Sequence, residues 1–199
     1  MKKILTTLLA ASLMLLGTQA FAQMSVNAGY LNSTLATKNS SANANGAYAG
    51  VSFNIPVAGG LGIAPGVYYS MITGKTVDLG SILNGTLMEH AINVPVYLNY
   101  GFELSRDTKF FLFGGPTLQY GLSSKVNYSS GVVSATATTD NYKNSDFNRM
   151  NVYLGGGLGF GVGALQITVG YDYGMMNQYK NTDNACHRSN LKLGVGYAF

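Results

Sequence analysis

The 199-residue chain is poor in charge, has no tryptophan, and holds one cysteine and four prolines. Charged residues make up 10% of it while 47% are hydrophobic, against the about 25% charge of ordinary soluble domains. So few charges cannot clothe a water-exposed surface in the usual way. The apolar content excludes intrinsic disorder. The formal net charge of +4 comes without a Lys/Arg cluster, so no phosphate-binding stripe forms and a nucleic-acid partner is excluded. A lone Cys186 rules out an internal disulfide; an odd thiol in an exported chain is free or pairs between molecules, and a structural spectator is expected here.

The first 22 residues read as an address. Lys2 and Lys3 precede an apolar run from Ile4 to Leu16, and Ala20-Phe21-Ala22 places small residues before a cut at Gln23. This is the pattern of a cleaved secretory signal. The run is shorter than the ~20 residues of a membrane-spanning helix. No cysteine lies near the cut, which disfavours a lipid anchor. The expected division is a signal at 1–22 and one domain at 23–199. Without Lys2 and Lys3, 10 basic residues face 8 acidic ones, too small a surplus to imply a polyanionic partner.

Helical periodicity is also missing from the rest of the chain. Period-2 segments recur instead, bounded by Gly, Asn and Ser. They lie at 25–31, 46–56, 61–71, 89–102, 109–122, 148–160, 165–174 and 188–199. In the fourth, Ile92, Val94, Val96, Leu98 and Tyr100 oppose Asn93, Tyr97 and Asn99; in the last, Leu191, Leu193, Val195, Tyr197 and Phe199 oppose Asn190 and Lys192. Phe111 and Phe113 break the alternation of the fifth. The polar face is mainly Gly, Ala, Ser, Thr, Asn, Gln and Tyr. Such residues line a narrow lumen and bond one another there. The apolar face then meets lipid, where only a closed sheet satisfies its backbone. Strands of about ten residues match the ~9–11 that cross a bilayer when tilted.

The predicted fold is therefore all-β: an eight-stranded antiparallel up-and-down transmembrane barrel in a bacterial outer membrane, with short periplasmic turns alternating with long outer loops. Ten strands follow if residues 126–137 form an extra hairpin; the same segment can instead extend the wall above the membrane. Tyr30, Tyr69, Tyr100, Tyr120, Tyr173 and Tyr197 fall on the outward parity near strand ends, as interfacial girdles require. Gly155, Gly157 and Gly159 alternate inward on the sixth strand, making room in the lumen or letting the sheet bend.

The final strand, apolar at every second position and ending on an aromatic residue, resembles the signal read by the barrel-assembly machinery. The segments Ile92-Asn93-Val94-Pro95-Val96-Tyr97-Leu98-Asn99-Tyr100, Phe111-Leu112-Phe113-Gly114-Gly115-Pro116, Gly170-Tyr171-Asp172-Tyr173-Gly174 and Gly194-Val195-Gly196-Tyr197-Ala198-Phe199 together resemble the porT-type outer-membrane β-barrel family. That resemblance spans essentially the whole chain after the signal, implies an outer-membrane barrel usually without an assigned activity, and transfers no catalytic residue.

Candidate chemistry is sparse. His187 and Ser189, with Asn190, resemble the His-x-Ser-Asn element of the outer-membrane lipid A deacylase, where His would activate the hydroxyl. No acidic residue follows His187 to orient it, so Asp172 or Asp183 would have to substitute. Cys186, His187 and the distant His90 make no metal set. Gly159, Gly161 and Ala164 match the letters of a dinucleotide fingerprint, but a strand follows them, not a helix. Asp172 and Lys192 read as the only charges well inside the inward parity, and a luminal ion pair is expected between them. No catalytic, cofactor-binding or metal residue and no cofactor is assigned. The expected role is structural or interactive, through membrane lipids, the assembly machinery during insertion, and an envelope or host-surface partner. A narrow conduit for small solutes is the alternative, and a lipid-modifying hydrolase the third reading.

Overall fold

The computed structural model describes residues 23–36, 41–78, 84–129, 136–144, 147–178 and 186–199. The proposed signal at 1–22 lies outside the described residues. The strands are β1 (Gln23–Ala36), β2 (Ser41–Ala58), β3 (Leu61–Asp78), β4 (Asn84–Ser105), β5 (Thr108–Ser129), a short β6 (Thr136–Asp140), β7 (Met150–Val162), β8 (Leu165–Gly174) and β9 (His187–Ala198). A four-residue helix α1 (Asn141–Asn144) follows β6.

Eight of these strands close a ring. Each pairs antiparallel with its neighbours in the order β1, β2, β3, β4, β5, β7, β8, β9, and β9 returns to β1. Closure is what lipid demands, because a free sheet edge would leave N–H and C=O groups in hydrocarbon. The short β6 stands outside the ring, paired only with the end of β5 from Lys125 to Ser129. The count is thus eight, and the Thr136–Asp140 segment extends the wall; residues 130–135 of the alternative hairpin lie outside the described residues.

Alternation decides which face meets what. On β7, Asn151, Tyr153, Gly159 and Gly161 are buried, while Val152, Leu154, Leu158 and Phe160 are exposed. The same inversion of the usual rule holds on β9, where Leu193 is 45% and Val195 60% exposed. Large apolar side chains face outward around the ring, and the buried apolar cluster of Leu31, Ala44 and Ile72 is a small plug inside it. Two aromatic levels bound the apolar belt. Tyr100, Phe102, Phe110, Tyr197 and Phe199 lie at the turn end, with Tyr100 edge-on to Phe102 and Tyr197 edge-on to Phe199. Tyr69 and Tyr120 flank Ile92 at the loop end. From Ile92 to Tyr100 the strand covers about 26 Å, or about 20 Å of depth at a ~40° tilt, close to the ~25 Å band of such barrels.

β4 and β5 run for 22 residues each, twice what the bilayer needs. The sequence expectation stops at Glu89 and Leu122, short of residues 84–88 of β4 and 123–129 of β5, because the outward residues change character there. Thr86, Lys125 and Asn127 are exposed there, as are Thr73 and Lys75 on the adjoining β3, so water and not lipid wets that part of the wall. At the other end the connections are two-residue turns. Gly59, Gly60 and Gly163 take positive φ in two of them (57°, 84° and 57°), which glycine adopts without a Cβ penalty. The Gly159-Gly161-Ala164 match therefore ends in a tight strand-to-strand turn.

Candidate functional site

Strand parity sends the polar residues inward, so any site is built in the lumen or at its outer mouth. The β7 glycines shape the lumen first. A Cβ on Gly159 would strike the Phe111 ring, one on Gly157 the Phe113 ring, and one on Gly155 the Asp172 carboxylate. The glycines thus make the space that neighbouring strands fill. Phe111 and Phe113, which disturbed the alternation of the fifth segment, are inward residues seated against that glycine stripe.

The expected luminal pair is present. Lys192 Nζ lies 2.5 Å from Asp172 Oδ2 and donates to the Tyr97 hydroxyl at 3.0 Å. That hydroxyl shares a 3.1 Å hydrogen bond with Thr117 Oγ1. The pair therefore ties β8 and β9 to β4 and β5 across the barrel. Toward the loops, a hydrogen-bonded chain crosses the wall: Tyr153 donates to Gln119 Oε1 (3.0 Å), Gln119 to Asn93 Oδ1 (2.9 Å), and Asn93 to Ser70 Oγ (2.8 Å).

A second buried pair corrects the expectation that Asp172 and Lys192 were alone. Arg188 on β9 forks onto Glu89 on β4, with Nη1 2.5 Å from Oε1 and Nη2 3.0 Å from Oε2. Their side chains are only 3% and 2% exposed. Both residues sit on the inward parity, Arg188 in step with Asn190 and Lys192, and Glu89 in step with Ala91 and Asn93. That parity was the available signal; treating the two as strand starts hid it.

Loop residues pack over this pair. Asn141 donates to Ser124 Oγ at 3.1 Å, Tyr142 leans over Gly121, and Phe147 is buried beside it. Gln178 is 3% exposed; its backbone bonds Asn148 and Cys186, and its amide oxygen accepts from Asn151. Burial, and next the Glu89 carboxylate, push the Tyr142 phenol well above its usual range. Cys186 is a free thiol, fully buried, and burial raises its pKa too. Among the described residues, packed and mutually bonded groups thus fill the outer mouth.

The His187 and Ser189 pair faces the other way, outward on β9. His187 stacks on Tyr173 (5.6 Å between rings, 23° between planes), and its Nδ1 meets the Gly174 carbonyl oxygen at 3.1 Å. No hydrogen bond joins Ser189 to His187, and no carboxylate pairs with His187 among the described residues. Asp172 is committed to Lys192 inside the barrel, and Asp183 lies outside the described residues. His90 makes the matching outward contact with Tyr69. No group of three His, Cys, Asp or Glu residues that could hold a metal occurs among the described residues.

A closed antiparallel barrel with a greasy belt, aromatic rims and a polar interior defines an outer-membrane β-barrel protein. The sequence agrees: the profile of the outer membrane protein beta-barrel domain family matches residues 18–180, and the chain belongs to that family. It is located in the bacterial outer membrane. Among curated proteins no sequence match was found. Of solved structures, Ail, the attachment invasion locus protein of Yersinia pestis, solved with the heparin analogue sucrose octasulfate, is similar at TM-score 0.56 and 13% identity, over 90% of this chain and 99% of that one. Neisserial surface protein A is similar at 0.51 and 16%, over 88% and 97%. The outer membrane enzyme PagL gives 0.47 and 12%, over 85% and 98%. For Ail and Neisserial surface protein A, identities this low show the shared fold and nothing about activity.

Proposed function

We propose that this chain is a non-conducting, non-catalytic surface barrel whose outer loops and extended strand ends contact an envelope partner or a host surface. The Arg188–Glu89 fork carries this reading. It joins β9 to β4, on opposite sides of the ring, and loop residues pack over it. A solute crossing the lumen would have to part this pair, skirt the Lys192–Asp172 pair and lift the packed mouth. The β3–β5 wall rises beyond the belt with water-facing Thr, Lys and Asn, a platform for contacts outside the membrane. Two of the similar barrels are named for attachment and for the cell surface, and that class of role is carried over here as a proposal.

The apolar belt takes membrane lipids as its permanent partner, and the outward Leu191, Leu193, Val195, Tyr197 and Phe199 of the last strand present the assembly-machinery signal. We assign the chain to the porT type on its Ile92–Tyr100 and Gly194–Phe199 segments. The conduit reading rests on a luminal cavity of about 210 Å³. Planar-bilayer recording separates the two: the purified barrel is expected to give a silent membrane, and stable conductance steps would establish the conduit. Incubation with lipid A is expected to release no acyl chain; release lost in His187→Ala would establish the hydrolase.

A further inference from the structure

The cavity has two ends of different kind. Gln23, Gly60, Gly101 and Lys109 line it at the turn end, while Asn190 and Gln119 line it at the loop end, short of the Arg188–Glu89 fork. It is therefore a blind chamber reaching toward the periplasm. Its wall mixes rings with amides, and Tyr48 and Tyr68 stand on it from β2 and β3. Phe111 and Phe113 on β5, with Tyr97 against Phe113 at 5.2 Å, give one aromatic side. Across the ring, β1 and β2 supply Asn27, Ser52 and Asn54.

The chamber's amides, with Asn99 on β4 and Gln166 on β8 among them, are only partly satisfied. Asn99 donates to Asn54 Oδ1 at 2.7 Å, and Asn27 donates to Ser52 and Tyr68. These bonds leave the Asn54 amide nitrogen and the Asn27 and Asn99 oxygens without a hydrogen-bond partner among the described residues. The Gln166 amide, also lining the chamber, has none either. Polar groups in a concave site that are not bonded to one another are what fix a ligand's orientation. The charges are accounted for: Asp172 neutralises Lys192, and Lys109 stands at the mouth with its ammonium on Gln23 Oε1 at 3.4 Å.

We propose that this chamber is a binding site, open to the periplasm, for a neutral polyhydroxylated ring of monosaccharide size. The C–H faces of such a ring cover Phe111 and Phe113, while its hydroxyls both donate and accept, as the mixed set of amide oxygens and NH2 groups requires. One ring entering the cavity of about 210 Å³ would displace the water that such a polar chamber holds. The site works with the outer mouth shut, so it is independent of the surface role.

Saturation-transfer NMR on the full barrel in lipid nanodiscs tests this, with methyl β-D-glucopyranoside as probe, glucose 6-phosphate as its charged counterpart and empty nanodiscs as background. Transfer to the neutral sugar is expected in the native protein and lost in Ala64→Phe, which fills the chamber. Heat-modifiable gel mobility reports whether that variant folds, and Thr168→Phe on the opposite wall serves if it does not. No transfer from the native barrel, transfer that survives a folded filled variant, or stronger transfer to the sugar phosphate each overturns the proposal.

Discussion

Glu89→Ala is the sharpest perturbation of this structure. It removes both acceptors of the Arg188 fork and leaves a guanidinium 3% exposed, between the luminal wall and the packed mouth. An uncompensated buried charge of this kind costs about 3–5 kcal/mol. The paired removal, Glu89→Leu with Arg188→Met, is expected to cost within about 1 kcal/mol of nothing, because two desolvation penalties vanish with the attraction. One detail favours that outcome: Arg188 Nε has no partner among the described residues, so hydrogen bonds from them do not fully repay the pair. The assay is urea unfolding of the barrel in lipid vesicles, followed by tyrosine fluorescence and heat-modifiable mobility. A single substitution that costs under about 1 kcal/mol, or a double substitution as damaging as the single one, would refute the reasoning.

Three further outcomes follow from the same geometry. Lys192→Met strands Asp172 beside a hydrated chamber, where Lys192 is 21% exposed; the same unfolding assay should show a loss of about 1–3 kcal/mol, smaller than for Glu89→Ala. Gly157→Val places a side chain against the Val169 carbonyl oxygen and the Phe113 ring and should abolish heat-resistant mobility, whereas Gly163→Asn, at a turn with positive φ and open space, should keep it. Cys186, buried and with its thiol pKa raised, stays largely protonated at pH 8, so maleimide labelling and disulfide-linked dimers should be slight in the native barrel and appear once urea unfolds it.

Most of the architecture was legible because lipid and lumen impose opposite demands on successive residues. Ile92, Val94, Val96 and Leu98 declared one side of β4, and Asn93 and Asn99 the other, with no knowledge of the partner strand. The Asp172–Lys192 pair was legible for the same reason: two opposite charges on one parity of adjacent strands must meet or remain costly. What stayed hidden depends on register between distant strands. Glu89 and Arg188 are far apart in sequence, and only closure of the ring brings β4 and β9 to face each other. Phe111 and Phe113 broke the pattern because their seats are glycines on β7, a relation between strands rather than a property of either. The loop-end residues 84–88 of β4 and 123–129 of β5 escaped notice since their outward side chains turn polar, as at Thr86, Lys125 and Asn127, which erases the apolar–polar contrast with the inward face.

The central claim is that hydrocarbon wets the apolar parity and that the polar parity encloses the chamber. Spin labels on Leu154, Ile167 and Val195, and on Thr168 inside, in a Cys186→Ser barrel reconstituted in lipid, test it directly by collision with oxygen and with a water-soluble nickel chelate. The account predicts oxygen-dominated relaxation at the three outward sites and weak oxygen contact at Thr168. Nickel-dominated relaxation at Leu154, Ile167 and Val195 would contradict it.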